Sequence, residues 1–305
     1  MDDIKKRLLK EIADMERTPF GAYNIRENGV SIDRKTTTNI TIVPKKDKPG
    51  IDILVKEGTV GESIHIPVII TQSGLTDLVY NDFYIGKGAD VTIIAGCGIH
   101  NSSCETSQHD GIHTFHLKEG TRVKYVEKHY GEGEGTGKKV LNPQTIVHLA
   151  DSATLEMQTV QIKGVDSTIR ETAAYLSSNS SLVVSEKLFT HGDQTARTVF
   201  NVDLNGEGSS THISSRSIAS DNSSQEFVSN VNGNTRCFAH IECDAIIMDN
   251  GIVSAIPRIS ANHVDSNLIH EAAIGRIAGD QLTKLMTLGL TQKEAEEHII
   301  NGFLK

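Results

Sequence analysis

Short runs in which apolar and polar residues alternate fill most of this chain. Gly, Asn, Asp and Ser separate the runs, as expected for strands joined by tight turns. The first residues differ, because their apolar positions recur every three or four residues and so mark one face of a helix. Those positions are Ile4, Leu8, Ile12 and Met15. The pattern predicts an N-terminal helix within residues 1–20 and a β-rich body over residues 21–260.

Six of the strand-like runs resemble one another, each opening on small or polar residues before it alternates. If their first apolar positions are equivalent, the repeat spacings are 32, 32, 27, 29 and 24 residues. The positions aligned in this way are Val91, Val123, Leu155, Leu182, Thr211 and Thr235. Repeats of this length are typical of stacked coils, each of which buries its apolar face on the next. We therefore predict a β-helix, while a β-sandwich with irregular loops remains an alternative with the same turn chemistry.

The hydrophobic pattern changes again over residues 261–305, which we predict to be helical. Leu268, Ala272 and Ile274 lead towards further apolar positions, and Gly289 is placed as a helix stop. Thr291 and Glu294 have the spacing of a capping box that opens a second helix. The chain is therefore expected to end in a helical hairpin.

Composition and charge exclude several classes of function. A net charge of -9 without a basic cluster argues against nucleic-acid binding, which requires phosphate neutralisation. The first residues contain no apolar stretch long enough for a signal peptide or membrane anchor, so we expect a cytoplasmic protein without a membrane partner. Four irregularly spaced cysteines are too few for a disulfide framework. They are expected to be free thiols, available as metal ligands.

Two groups of residues could bind metal. Cys243, His270 and Glu271 combine a thiol, an imidazole and a carboxylate, a donor set suited to iron or zinc that only folding can assemble. Without further information Cys243 could equally be a small core residue, and His270 and Glu271 an ordinary helix-start pair. A second group lies in one short stretch and comprises Cys97, His100, Cys104, His109, His113 and His116. It lacks a CxxC pair, and a strand would point His113 and His116 in opposite directions.

The C-terminal third resembles the SufB/SufD proteins, which assemble iron–sulfur clusters. The resemblance is carried by the segments ECDAIIM, HEAAIGRI and LGLTQKEAEEHIINGF, and it is strongest over residues 209–305. It implies a right-handed parallel β-helix and a scaffold that is not itself an enzyme, with a SufC-like ATPase docked on residues 266–305. It also implies that Cys243 receives sulfur and ligates a nascent, transient cluster. His270 and Glu271 would hold that cluster at a subunit interface.

The chain is short compared with typical SufB, so it resembles a minimal member of the family. This shortness favours a homodimer that uses one gene product for both halves of the scaffold, supplied by a sulfur donor. It gives no basis for carrying over the flavin role attributed to longer complexes. Two alternatives remain: an adaptor that only regulates an ATPase, and a β-helical carbohydrate-active enzyme. The second is disfavoured because the chain has no Trp and only six Tyr for stacking on sugars.

Overall fold

The computed structural model describes residues 3–15 and 19–304. Residues 1, 2, 16, 17, 18 and 305 of the predicted terminal segments lie outside the described residues. Most of the described chain forms two ten-stranded sheets. The first, sheet A, contains β1 (Ala22–Glu27), β2 (Val30–Lys35), β5 (Val60–Ile70), β7 (Asp90–His100), β9 (Arg122–Glu132), β12 (Thr154–Lys163), β14 (Ser181–Thr190), β16 (Ser210–Ala219), β18 (Cys237–Ile247) and β20 (Ser266–Gly275).

The second sheet, sheet B, contains β3 (Ile40–Pro44), β4 (Gly50–Val55), β6 (Thr76–Ile85), β8 (Ser107–Leu117), β10 (Lys139–Leu141), β11 (Gln144–Leu149), β13 (Ser167–Leu176), β15 (Thr195–Leu204), β17 (Ser224–Gly233) and β19 (Ile252–Ala261). From β4 and β5 onwards the chain alternates between the sheets. Successive strands of each sheet pair in parallel. The exception is β10 and β11, which follow one another in sheet B and each pair with β8 and β13. The predicted β-helix of stacked coils is confirmed.

The strand registers test the predicted repeat directly. The first five aligned positions, from Val91 to Thr211, share one row across sheet A. Four of the five spacings are therefore confirmed. The last was wrong, because Thr211 pairs with Ala239 rather than Thr235. Thr235 lies in the turn that precedes β18, whose first residue is Cys237.

The N-terminal end of the solenoid is covered. Helix α1 (Asp3–Ala13) buries Leu8 and Ile12 against the first coils, as its sequence predicted. Gly96 permits this close approach, because a Cβ there would lie 2.3 Å from the carbonyl oxygen of Ile12. Two antiparallel hairpins, β1–β2 and β3–β4, complete this end.

The C-terminal end differs from the prediction in one respect. The helical interpretation of Leu268, Ala272 and Ile274 was wrong: all three lie in β20, which makes ten pairs with β18. Spacings of four and two residues fit the two-residue repeat of a strand as well as a helix face. The helices follow as α2 (Gly279–Thr287) and α3 (Gln292–Phe303).

The predicted signals at these two helices are confirmed. Gly289 follows α2 with a φ of 97°, and the capping box between Thr291 and Glu294 opens α3. Within the described residues, no helix is both long and apolar enough to cross a membrane.

Candidate functional site

The interior of the solenoid has an apolar half and a polar half. Large apolar side chains, among them Phe83, Phe115 and Phe200, fill the first. The second follows the edge where strands of sheet A end and those of sheet B begin. One row of registered positions on sheet A runs along this half and consists of Glu127, Thr159, Glu186, Ser215 and Cys243. All five side chains are buried.

A single guanidinium connects the two carboxylates of this row. Arg170 extends from β13 of sheet B, donates a short hydrogen bond to Glu127, and lies 3.8 Å from Glu186. Glu186 also accepts hydrogen bonds of 2.9 Å from Thr198 and 2.7 Å from Ser215. Burial alone would raise the pKa of Glu127, but the charge of Arg170 and the nearby His129 hold it well below its usual range. Arg170 is therefore the common cationic partner of the two carboxylates in this row.

Cys97 lies at the N-terminal end of this polar half. It is in register with His129 and also faces His109, whose Nδ1 is 3.0 Å from Asp77. Burial would raise the pKa of the Cys97 thiol, but the charge of His109 and hydrogen bonds from both imidazoles lower it to about 7. The charge of the Cys97 thiolate and the contact with Asp77 raise the pKa of His109 to about 10 despite burial. A thiolate–imidazolium pair of this kind is the arrangement that activates a cysteine.

Arg26 extends this cluster to a pocket at the N-terminal end. Its guanidinium donates hydrogen bonds of 2.9 and 2.6 Å to the two carboxylate oxygens of Asp77. The pocket has a volume of 270 Å³ and is also lined by Arg34, Lys45 and Lys48. A continuous line of buried polar contacts thus runs from this basic pocket into the interior.

The other residues of the short Cys- and His-rich stretch are not part of one site. His113 points inward, but its Nδ1 lies 2.8 Å from the hydroxyl of Tyr125. Burial lowers the pKa of His113 to about 4. Cys104 is exposed in a loop. His116 points outward, as the strand alternation predicted, and its ring stacks with those of Tyr84 and His148. The structure divides the stretch between the interior and the surface.

Cys243 and His270 lie on the same inward face of sheet A, near the other end of the interior. Strand alternation points both side chains inward, and the register places His270 beside Ile241, two residues before Cys243. Adjacent strands about 4.8 Å apart and a two-residue step put their Cα atoms roughly 8 Å apart. Both ring nitrogens of His270 are buried without a hydrogen-bond partner. Buried polar atoms normally have hydrogen-bond partners, so the unpartnered His270 is an exception. Its neutral imidazole has a nitrogen lone pair that is free to bind a metal.

The environment of Cys243 keeps its thiol protonated. Burial is the main cause, followed by the negative charges of Glu186 and Asp244, and together they raise the pKa to about 12. A metal ion that binds this thiol would therefore displace its proton. Burial also lowers the pKa of His270, which favours the neutral imidazole that metals bind. The pair is suited to ligation rather than to nucleophilic attack.

Glu271 is not on the same face as Cys243 and His270. The two adjacent residues lie in a regular strand, so their side chains point to opposite faces of sheet A. Glu271 points outward, where its Oε2 lies 3.7 Å from the Nε2 of His240 and its strand neighbour is Glu242. The structure thus brings Cys243 and His270 together and separates Glu271 from them.

Comparison with known proteins identifies the family. Residues 71–303 match the family described as SUF system FeS cluster assembly, SufBD core domain. This match covers the coils from β6 onwards and both C-terminal helices, including every residue of the Cys243 region. The chain belongs to the SufBD family. The resemblance inferred from the sequence is confirmed.

Several SufBD relatives are similar over most of this chain. An iron-sulfur cluster assembly SufBD family protein of Methanothermobacter thermautotrophicus is 27% identical over 221 residues, which are 72% of this chain and 53% of the relative. One from Archaeoglobus fulgidus is 24% identical over 80% of this chain and 66% of its own length. The iron-sulfur cluster assembly protein SufB of Bacillus subtilis is 38% identical over 68 residues, or 22% of this chain and 15% of SufB. The chain spans about half the length of the first of these relatives.

Sequence reasoning missed the charged residues of the interior. Glu127, Arg170 and Glu186 occupy inward positions of strands that also carry apolar inward residues. The sequence feature that could have revealed them is a charged residue at a position where the alternation of the strand calls for an apolar one. Its meaning depends on the partner in the opposite sheet, which the sequence does not identify.

Proposed function

We propose that this SufBD protein is a scaffold on which a transient iron–sulfur cluster is assembled, with Cys243 and His270 as ligands from each chain. The observation that carries the proposal is the inward thiol beside an imidazole whose two nitrogens lack partners. The cluster is cargo, so an incomplete ligand set allows its release. Glu271 can join only from the outer face or the edge of β20, and we propose it as a secondary ligand.

A second copy of the chain would complete the site. β19 and β20 are the last strands of the two sheets, so each has one edge without a strand partner among the described residues. The inward residues Ala255 and Leu268 of these strands are only partly buried, unlike those of the preceding coils. Long uncovered strand edges are pairing surfaces. Two such ends meeting would place two Cys243–His270 pairs at one homodimer interface.

A SufC-like ATPase is the proposed partner of the C-terminal helices. α2 has no buried residue and α3 has only Ala295, so both helices present most of their surface to solvent. Their exposed side chains include Met286 and Leu288. An amphipathic helix pair of this kind suits a docking groove on another protein. The nucleotide would bind the partner, which couples hydrolysis to cluster release.

Cys97 is the better candidate for accepting sulfur from a donor protein. Its pKa of about 7 makes it half thiolate at neutral pH, whereas the Cys243 thiol is protonated there. The buried polar row from Glu127 to Ser215 lies between the two thiols. We propose that the Cys97 thiolate attacks the outer sulfur of a persulfide on the donor protein and releases the donor's thiolate, which leaves the persulfide on Cys97. Two thiols of an external reductant would then release this sulfur as sulfide and form a disulfide between themselves, and the cluster would form at Cys243.

Anaerobic reconstitution with ferrous iron and sulfide tests the scaffold proposal. Visible absorption and Mössbauer spectra should show a cluster in the wild-type protein and lose it in Cys243→Ser. Cys237→Ser is the matched control, because Cys237 is another buried, inward thiol of β18. It should retain the cluster, and His270→Ala should reduce it.

A cluster of equal intensity in Cys243→Ser would remove Cys243 from the site. No cluster in the wild-type protein, combined with binding to the ATPase, would favour the adaptor function instead. The raised pKa of Cys243 is the observation that fits an adaptor, because a protonated thiol is a weaker ligand.

A further inference from the structure

The outer face of sheet A carries a second group of metal-ligating side chains. His212 in β16 and His240 in β18 are strand neighbours, and Glu242 follows on the same face two residues later. One ligand atom from each of the three lies within 4.8 Å of the others. All three residues are partly buried rather than freely exposed. Their side chains are therefore confined to a small region of the surface.

The contacts around His240 are too long to satisfy the hydrogen-bonding capacity of its ring nitrogens. The Nδ1 of His240 lies 3.5 Å from Glu242, and its Nε2 lies 3.7 Å from Glu271, both beyond the usual range of a hydrogen bond. The Nε2 of His240 is buried and has no hydrogen-bond partner. The ring of His212 is 5.3 Å from that of His240 and tilted by 56°, so the rings do not stack face to face.

Charge favours a cation at this position. The register places Glu242 directly beside Glu271 on the neighbouring strand. Like charges in such a pair destabilise a sheet, and both carboxylates face the same imidazole, that of His240. A bound cation would offset the repulsion between the carboxylates and would use the free nitrogen of His240.

The kind of cation follows from the donor atoms. Two imidazoles and one carboxylate on one side of a metal are the ligand set of non-haem ferrous sites with open positions. Metal–nitrogen distances near 2.1 Å require ligand atoms somewhat closer than 4.8 Å, a change that side-chain rotation supplies. Calcium and magnesium are disfavoured because they prefer oxygen ligands.

We propose that His212, His240 and Glu242 bind one divalent first-row transition metal ion, ferrous iron, on the outer face of sheet A. Glu271 lies at the margin of this site and supplies a further oxygen. The site is distinct from the interior pair, because Cys243 follows Glu242 in sequence but points to the opposite face. None of its three ligands belongs to the proposed cluster site, and Glu271 is the one residue that both proposals use.

Metal titration of the full-length, chelator-treated protein tests this proposal. Co²⁺ would be followed anaerobically by its visible bands, and Fe²⁺ by calorimetry. We expect one ion per chain in the wild-type protein. Affinity should fall by more than about tenfold in His240→Ala and in Glu242→Gln, since even outer-shell changes cost that much at metal sites. His148→Ala, which removes an outward histidine of sheet B, is the matched control and should bind normally.

Cys243→Ser separates this site from the proposed cluster site. We expect that variant to bind Co²⁺ with wild-type affinity and without change in its spectrum. Binding that is lost in Cys243→Ser, or a thiolate-to-cobalt charge-transfer band, would place the ion inside the solenoid and overturn the proposal. The proposal would also be overturned if the wild-type protein bound no ion. Binding that neither His240→Ala nor Glu242→Gln weakened would have the same consequence. Circular dichroism would establish that each variant is folded.

Discussion

Cys97 and Cys243 are inward thiols of sheet A that lie towards opposite ends of the same solenoid and differ in chemistry. Cys97 sits between His109 and His129, and its pKa falls to about 7. Cys243 has the carboxylates of Glu186 and Asp244 nearby, and its pKa rises to about 12. Both are buried, so burial cannot explain the difference. Opposite charges in the neighbouring coils decide whether each thiol is ionised.

The ends that hold these thiols also differ in how they are closed. Helix α1 and two hairpins cover the N-terminal coils, whereas β19 and β20 leave the last coil uncovered. A reactive thiolate therefore lies in a closed end and a protonated thiol beside an open one. This difference between the ends is what our proposal uses when it places sulfur entry at Cys97 and cluster assembly at Cys243.

The largest expected effect comes from breaking the charged row between the thiols. Arg170→Met would leave Glu127 and Glu186 buried without their cation, at a cost of about 3–5 kcal/mol in unfolding free energy. Urea denaturation would measure it. Arg197→Met is the matched control, because Arg197 pairs with Glu226 on the surface, where a salt bridge contributes about 1 kcal/mol or less. Equal losses in the two variants would show that the interior row does not stabilise the fold.

Asp77 should make the closed end sensitive to acid. Burial opposes ionisation of Asp77, but hydrogen bonds from Arg26 and His109 lower its pKa below the usual range. Stability from this group is full above the unfolded pKa of about 3.9 and is lost as pH falls towards the folded value. Asp77→Asn should therefore lose about 2–3 kcal/mol at pH 7 and show a flatter decline between about pH 4 and 2.

The control for this pH dependence is Asp14→Asn. Asp14 forms an exposed ion pair with Lys128, and its substitution should change the acid profile far less than that of Asp77. Unfolding free energy measured by urea titration at a series of pH values would compare the three proteins. Parallel profiles for wild type and Asp77→Asn would contradict the proposed ionisation of Asp77.

The difference in ionisation between Cys97 and Cys243 can be measured most directly as thiol reactivity. In a variant that retains only Cys97, alkylation should rise with pH to half its maximum near pH 7. Replacing His109 by Asn should raise the pKa of Cys97 and slow alkylation at pH 7 by about tenfold, because the thiolate fraction falls. A variant that retains only Cys243 should not react in this pH range. Equal profiles for the two thiols would eliminate the electrostatic difference between the ends.

The sequence predicted the repeat well and the site only in part. Alternation and turn residues were sufficient to place the coils, because each strand buries its own apolar face. The sequence and its family resemblance propose Cys243, His270 and Glu271 as ligands, and this remains a prediction. They do not predict that Glu271 faces away, since the pattern indicates a helix where β20 forms. The activated state of Cys97 could not be predicted, because His109, His129 and Asp77 meet it only through the stacking of separate coils.

The smallest expected effect concerns the helices beyond the open end. Helix α1 is held by buried side chains, whereas α3 buries only Ala295 and depends on its capping box. Thr291→Ala removes that cap and should destabilise α3 by about 1 kcal/mol. Hydrogen exchange should then increase in α3 while β18 and β20 keep their protection. Thr287→Ala, which removes a hydroxyl contact at the end of α2, is the control. Faster exchange throughout β20 would show that the terminal helices stabilise the open coil, so that this end is less exposed than its strand edges indicate.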